Sequence, residues 1–110
     1  MGTEWRPIPG TKGLYEASSN GDIRRVSKPL SVCIQKDWTG TGYGLVGLSI
    51  NGKSKTFRVH SLIALTFHGD RPAGYQVDHK DRDRTNNSAD NLEYVTAAEN
   101  IRRRNYPLTK

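Results

Sequence analysis

Cysteine is almost missing from this chain of 110 residues, and Cys33 is the only one present. A single cysteine excludes a disulfide bond within the chain and a zinc site built from several cysteine ligands. Long apolar runs are also missing, including at the N-terminus, so we expect neither a signal peptide nor a membrane span. These absences favour a protein of a reducing cytoplasm that has no membrane as a partner.

Apolar residues are scarce as well, at 34% of the chain, which indicates a small core and many residues free for surface contacts. Basic residues outnumber acidic ones and give a net charge of +6, which favours a polyanionic partner. Residues 77–110 differ, because seven basic residues there accompany six acidic ones. Binding of a cation would explain these acids, and an ordinary solvated loop would explain them equally well.

An Asn-Gly pair at residues 20–21 predicts a turn between two strands, over residues 14–18 and 22–26. Residues 4–10 contain two prolines and should be extended in front of this hairpin. We therefore expect residues 1–42 to form a small β-rich N-terminal module.

A second Asn-Gly pair, at residues 51–52, predicts a hairpin between residues 43–50 and 53–59. The two-residue turn would pair Ile50 with Lys53, Leu48 with Lys55, and Val46 with Phe57. Apolar residues at helical spacing then predict a helix over residues 61–68, which Gly69 should end.

The last third of the chain predicts strand, loop, strand and helix in that order. Residues 75–79 and 92–95 have the composition of short strands, and the polar residues 80–91 connect them. The sequence Thr-Ala-Ala-Glu at residues 96–99 is a capping box, so a helix should begin there and run to about residue 104.

The most specific pattern in the chain is Asp78-His79 followed by Asn91 and Asn100, with the spacing DH-x11-N-x8-N. The carboxylate offers a ligand for a hard cation, and the imidazole offers a general base. Asn100 occupies a helical position where an apolar residue would pack against Val95, so its amide oxygen could serve a metal site instead. Each residue alone also has an ordinary explanation, as a hydrogen-bonded histidine, a turn asparagine or an exposed helical asparagine.

Residues 75–101 (YQVDHKDRDRTNNSADNLEYVTAAENI) resemble the ββα-metal motif of HNH nucleases, and most closely that of the HNH homing endonucleases of phages and their introns. Residues 4–25 (EWRPIPGTKGLYEASSNGDIRR) resemble a small DNA-binding module often found in front of HNH domains. The resemblance implies an α+β fold with a small N-terminal antiparallel β module. An HNH nuclease domain would follow over residues 43–110, with its ββα-metal motif at residues 75–104.

The resemblance also implies a role for each residue of the pattern. Asp78 would be a metal ligand, and His79 would be the general base that activates water. Asn91 would brace the loop and so orient His79, and Asn100 would stand where the family has His or Asn as the second metal ligand. One carboxylate and one amide are hard oxygen donors, which favour one Mg²⁺ or Mn²⁺ per active site and no structural zinc.

Double-stranded DNA is the partner that the resemblance implies. The candidate contacts to its backbone are basic residues on the predicted strands and at the end of the last helix: Arg24, Arg25, Lys53, Lys55, Arg58, Arg102, Arg103 and Arg104. One active site cuts one strand, so a monomer would nick DNA and a homodimer could cut both strands. The expected location is the cytoplasm of a bacterium or of a phage-infected host.

The expected function is therefore metal-dependent hydrolysis of DNA phosphodiester bonds. The alternative is a DNA-binding accessory or regulatory protein with a decayed nuclease site, and the intact Asp78, His79 and Asn100 argue against it. An RNA-binding protein is a third possibility, but the sequence lacks the aromatic-rich sheet motif that it would need. We expect a structural role for His60, a surface role for His68 at the end of the predicted helix, and Tyr43 to anchor the small core.

Overall fold

The computed structural model describes residues 3–33, residue 35 and residues 43–99. Its first sheet contains three short antiparallel strands in the order β1 (Trp5–Pro7), β2 (Tyr15–Ser18) and β3 (Ile23–Arg25). The turn between β2 and β3 contains the Asn-Gly pair, and the second residue of the pair, Gly21, has a φ of 96°. This part of the fold is therefore the extended segment and hairpin that the sequence predicts.

The second sheet is a hairpin of β4 (Leu45–Ile50) and β5 (Lys53–Arg58). Its register confirms all three predicted pairs: Ile50 with Lys53, Leu48 with Lys55, and Val46 with Phe57. Asn51 and Gly52 both have positive φ, at 57° and 76°, as the favoured two-residue hairpin turn requires. The turn chemistry and the alternation of apolar residues are enough to determine this register.

One long helix, α1 (Val59–His68), follows β5 directly. It begins two residues before the predicted start at Ser61, because Arg58 occupies the N-cap position without a side-chain hydrogen bond to the helix. Serine is a favoured N-cap residue, so the sequence pattern points to Ser61, whereas the structure places Ser61 inside the first turn. Gly69 ends the helix as predicted, with a φ of 85°.

The third sheet pairs β6 (Tyr75–His79) with β7 (Leu92–Thr96) in antiparallel register, and a short 3₁₀ turn, Ala89–Asn91, precedes β7. Residues 97–99 are helical, and the amide of Glu99 donates to the Thr96 hydroxyl at 3.1 Å, as the capping box predicts. The predicted order of strand, loop, strand and helix start is thus confirmed. Asn100, Arg102, Arg103 and Arg104 lie outside the described residues.

A single hydrophobic cluster connects all three sheets through α1. It includes Ile8, Ala17 and Ile23 from the first sheet region, Val46 and Leu48 from β4, Val59 and Ile63 from α1, and Leu92 from β7. The division into two units at residues 42 and 43 therefore stays a prediction, because the described part of each contributes to one core. In that described part, the helices lack the length and apolar character of a membrane span.

Candidate active site

The two residues of the Asp-His pair lie at the end of β6, and both are buried. Asp78 is 7% exposed and His79 is 5% exposed. The chain turns immediately afterwards, because the amide of Arg82 donates to the His79 carbonyl at 3.0 Å and the amide of Lys80 donates to the Asn91 carbonyl at 2.8 Å. The loop of residues 80–91 is therefore folded back beside the pair, as the sequence requires if both side chains are to serve one site.

The imidazole of His79 is held by Asn87, a loop residue that the DH-x11-N-x8-N pattern does not include. His79 Nε2 donates to Asn87 Oδ1 at 2.9 Å, and Asn87 is only 5% exposed. A proton on Nε2 leaves Nδ1 of the neutral ring as the basic nitrogen. The amide thus fixes both the tautomer and the orientation of His79.

Two further rings lie against His79. The His60 ring is 5.2 Å from it in an edge-to-face arrangement, and the Tyr43 ring is 5.9 Å from it. Tyr43 also lies 4.8 Å from His60, so the three rings form one cluster, which we call the ring cluster. Tyr43, His60 and His79 are far apart in the sequence, so no spacing pattern groups them.

Burial, together with the nearby His79, Arg58 and Arg71, lowers the pKa of His60 from 6.5 to about 4. His60 is therefore a neutral imidazole at pH 7. Its Nδ1 atom is buried and has no hydrogen-bond partner among the described residues. A neutral ring at this position adds no positive charge beside His79, and it restricts the rotation of the His79 ring through contact.

The side chain of Asn91 makes its hydrogen bonds within the loop of residues 80–91 rather than to the His79 ring. Its side-chain oxygen accepts from the amide of Asp81 at 3.1 Å. Its side-chain nitrogen donates to the Asp81 carboxylate at 2.9 Å and to the Asn86 carbonyl at 2.9 Å. Asn91 therefore ties the two ends of the loop together, and Asn87 makes the direct contact with the imidazole.

The acids of the loop have a structural use that the sequence analysis does not foresee. Asp81 accepts hydrogen bonds from Asn86, Asn91 and the amide of Asp83, and these bonds hold the pKa of its carboxyl below the usual value. Hydrogen bonds from the Thr85 hydroxyl and amide likewise lower the pKa of Asp83. Two of the acids in residues 77–110 thus organise the loop backbone, which is a third explanation beside cation binding and solvation.

The described residues do not form a closed metal cage around Asp78. Among the described residues, no group of three or more His, Cys, Asp and Glu side chains is arranged to hold a metal ion. Asp78 offers one carboxylate, and Mg²⁺ commonly accepts one or two protein carboxylates while water and phosphate oxygens complete its shell. The donor set is compatible with a cation that is shared with a phosphate-containing substrate.

The basic residues proposed to contact DNA differ in their solvent exposure and in their contacts within the protein. Arg24 is half-buried, donates to Glu16 at 2.8 and 2.9 Å, and lies over the Trp5 ring at 3.9 Å. Arg25 is also half-buried, and it donates to the Tyr15 hydroxyl at 3.4 Å. The other described candidates, all exposed, are Lys53, Lys55 and Arg58 on β5. The described part of this surface is therefore most available along β5.

Two antiparallel strands enclose a braced loop. A buried Asp-His pair lies at the end of the first strand, and a helix starts after the second. This arrangement defines a ββα-type nuclease fold. The profile described as HNH endonuclease matches residues 57–102. The profile described as NUMOD4 motif matches residues 4–60, which is just over half of the chain. The chain therefore belongs to the NUMOD4 family, and its residues 57–102 match the HNH endonuclease domain.

Named relatives support this assignment. DNA endonuclease I-HmuI of Bacillus phage SP01 is 40% identical over 100 residues, which are 89% of this chain and 55% of that protein. H-N-H endonuclease F-TflI of Escherichia phage T5 is 43% identical over 68 residues, which are 58% of this chain and 34% of that protein. An uncharacterised HNH endonuclease of Acanthamoeba polyphaga mimivirus, L245, is 35% identical over 102 residues, or 91% of this chain and 29% of that protein.

The fold is similar to that of the solved I-HmuI structure, which describes DNA binding and cleavage by that HNH homing endonuclease. The TM-score is 0.82 at 36% identity, and the match covers 92% of this chain and 57% of the other. The chain thus spans about half the length of I-HmuI and about a third of the other two relatives. Both the fold class and the resemblance that the sequence predicts are confirmed.

Proposed function

We propose that this chain is a DNA endonuclease that hydrolyses phosphodiester bonds with the help of one Mg²⁺ or Mn²⁺ ion per active site. The observation that carries the proposal is the His79 imidazole, buried beside Asp78 and held through Nε2 by Asn87. The named relatives described as DNA endonucleases support the choice of substrate and reaction.

His79 is the general base in this proposal. Its Nε2 atom is engaged with Asn87, so Nδ1 is the atom that accepts a proton from the attacking water. A base of this kind typically contributes about a hundred- to ten-thousand-fold in rate. The neighbouring His60 remains neutral at pH 7 and so does not compete as a charged acid beside the base.

Asp78 and Asn100 are the proposed cation ligands, the second on the strength of the DH-x11-N-x8-N spacing. When bound, the cation would offset the negative charge that develops on the phosphate and the leaving oxygen. Asn91 positions the loop that carries Asn87, and the products should carry a 5′-phosphate and a 3′-hydroxyl. An Asn100→Leu variant should lose metal-dependent activity, whereas Asn100→Asp keeps an oxygen ligand and should retain part of it.

Duplex DNA would approach along β5, where Lys53, Lys55 and Arg58 are exposed. Arg102, Arg103 and Arg104 extend the proposed contact, together with Arg24 and Arg25 where their present partners allow it. Such contacts to phosphates position the DNA without specifying its sequence. We further propose that the protein acts in the cytoplasm, that a monomer nicks one strand, and that a homodimer could cut both.

A plasmid-nicking assay tests the proposal. Supercoiled DNA is incubated with the protein in Mg²⁺, in Mn²⁺ and in EDTA, and His79→Ala serves as the matched inactive variant. The proposal expects an open-circular product only with a divalent cation and only with the wild-type protein. DNA binding without any nicking in either metal would support the alternative of an accessory protein with a decayed site.

A further inference from the structure

The turn between β2 and β3, residues 18–22, lies directly against the loop that holds His79. The amide of Ala89 donates to the Ser19 carbonyl at 2.9 Å, and the Ser88 hydroxyl lies 3.5 Å from the Asn20 carbonyl. Gly21 lies against Asn87 so closely that a Cβ at position 21 would be 2.8 Å from the Asn87 carbonyl carbon and oxygen. The β2–β3 turn of the N-terminal module therefore lies directly against the residue that holds the imidazole.

This turn is rigid enough to act as a positional reference. The Ser18 hydroxyl accepts from the amides of Asn20 and Asp22 at 3.2 and 2.9 Å, and Ser18 is fully buried. Backbone bonds between Ser18 and both Gly21 and Asp22, at 3.0 and 2.8 Å, close the same turn. The side-chain nitrogen of Gln35 donates to the Gly21 carbonyl at 2.9 Å from the other side. Turn and loop therefore meet as two ordered backbones.

We infer that Gly21 is a positioning residue for the proposed nuclease reaction: the β2–β3 turn sets the place of Asn87, and Asn87 sets the tautomer and orientation of His79. The inference rests on the proposed function only for its effect on rate. A module that contacts DNA would on this account also be a structural part of the active site. Removal or displacement of the turn should disturb the base even when DNA is still bound.

The chain offers a matched control for a substitution at Gly21. Gly13 belongs to the same module and also has positive φ, 76° against 96° for Gly21. A Cβ at Gly13 would have nothing within 4 Å, whereas a Cβ at Gly21 would meet Asn87. Gly21→Ala and Gly13→Ala both place an alanine at a positive φ, so a larger effect of Gly21→Ala than of Gly13→Ala reports the contact with Asn87.

Two quantities are measured: the single-turnover nicking rate with saturating protein, and the DNA affinity in EDTA. The proteins compared are wild type, Gly13→Ala, Gly21→Ala, Asn87→Ala and the double variant of Gly21 and Asn87. We expect Gly21→Ala to lower the rate about 10- to 100-fold, as the loss of an outer-shell partner typically does, while its DNA affinity matches that of Gly13→Ala. Because Gly21 acts through Asn87, the double variant should be no slower than Asn87→Ala alone. Additive losses, or equal rates for the two glycine variants, would overturn the inference.

A second readout does not depend on activity. Long-range ¹H–¹⁵N NMR of the His79 ring, recorded at one fixed pH for all variants, reports which nitrogen carries the proton. We expect the Nε2–H tautomer in wild type and Gly13→Ala, and a mixture of tautomers in Gly21→Ala and Asn87→Ala. An unchanged tautomer in folded Gly21→Ala would contradict the inference. If no protein nicks DNA but the tautomers change as expected, the proposed function fails and the positioning role stands.

Discussion

The β4–β5 hairpin and the loop of residues 80–91 both join antiparallel strands, yet they are stabilised in opposite ways. The hairpin closes with two residues, Asn51 and Gly52, and its six cross-strand pairs follow from that turn. The loop needs twelve residues, and Asn91 alone contributes three side-chain hydrogen bonds to it. Backbone pairing determines the first connection, and particular side chains determine the second.

The difference extends to what lies around each segment. Contacts from distant parts of the chain hold the loop: the Ser19 carbonyl accepts from Ala89, and His68 Nε2 donates to the Ala89 carbonyl at 2.9 Å. His68, for which the sequence predicts a surface role, is exposed and also contributes this hydrogen bond to the loop. A hairpin tolerates changes of its exposed side chains, whereas a loop built from specific polar contacts should not. The following predictions test this contrast.

The largest expected effect is at the first end of the loop. Asp78→Ala should reduce metal-dependent nicking about a thousand-fold, because the proposed cation loses its carboxylate ligand. Asp90→Ala, an exposed carboxylate of the same region, is the control and should keep nearly full activity. Single-turnover rates over a Mg²⁺ and Mn²⁺ series measure the effect. Equal rates for the two variants would remove Asp78 from the site.

The second effect is on stability and comes from His60. Its pKa of about 4 in the fold lies below the ordinary 6.5, so the unfolded chain binds the additional proton between these values. The contribution of neutral His60 is complete above pH 6.5 and decreases as the pH falls toward 4, by about 3 kcal/mol in all. The lowered pKa values of Asp81 and Asp83 change the free energy of unfolding only below the ordinary 3.8. The pH range of this effect is therefore separate from the range in which His60 acts.

Urea unfolding between pH 7 and 4 tests this for wild type and His60→Gln. His60→Gln should show a clearly shallower loss of unfolding free energy over this range than the wild type does. Parallel slopes for the two proteins would mean that His60 is not buried as a neutral ring.

The third effect distinguishes loop from hairpin directly. Asn91→Ala removes three hydrogen bonds and should slow nicking about 10- to 100-fold and destabilise the fold by about 1–3 kcal/mol. Ser54→Ala, at an exposed position of β5, should change neither quantity measurably. Thermal melting and single-turnover nicking of both variants measure the contrast, and a harmless Asn91→Ala would show that the loop does not depend on its side chains.

The smallest effect concerns the hairpin as a DNA-binding surface. Replacement of Lys53 and Lys55 by Ala should reduce the salt dependence of DNA affinity by about 2 in the log–log slope, since each phosphate contact contributes about 0.9. Arg24→Ala should change the slope less than either lysine does, because Glu16 already neutralises Arg24. Fluorescence anisotropy in EDTA over a salt series gives the slopes. A larger change for Arg24 would move the proposed surface to the first sheet.

The fold was predictable from sequence where local rules determine it. Asn51-Gly52 and the alternation around Val46 and Leu48 determine the hairpin register, and Thr96 with Glu99 marks the start of the last helix. The start of α1 was displaced by two residues, because the actual N-cap, Arg58, has no capping side chain and so leaves no signal. Local chemistry thus predicts elements, and it fails where an element begins without a local cause.

The site was predictable only in part for the same reason. The adjacent Asp78 and His79 and the loop-bracing Asn91 follow from spacing and from the family resemblance. Tyr43 and His60 reach the ring cluster through the tertiary fold, and Gly21 meets Asn87 across 66 positions of sequence. Asn87 carried a weak signal as one of two adjacent asparagines, but such pairs are common in turns.

The central claim is that His79, and not the adjacent imidazole of His60, is the base of a DNA-cutting site. Single-turnover nicking of a supercoiled plasmid by His79→Ala and His60→Ala, beside DNA affinity measured in EDTA, tests it most directly. The account predicts at least about a hundred-fold loss for His79→Ala with DNA binding intact, and a clearly smaller loss for folded His60→Ala. An active His79→Ala protein together with an inactive, folded His60→Ala protein would contradict it.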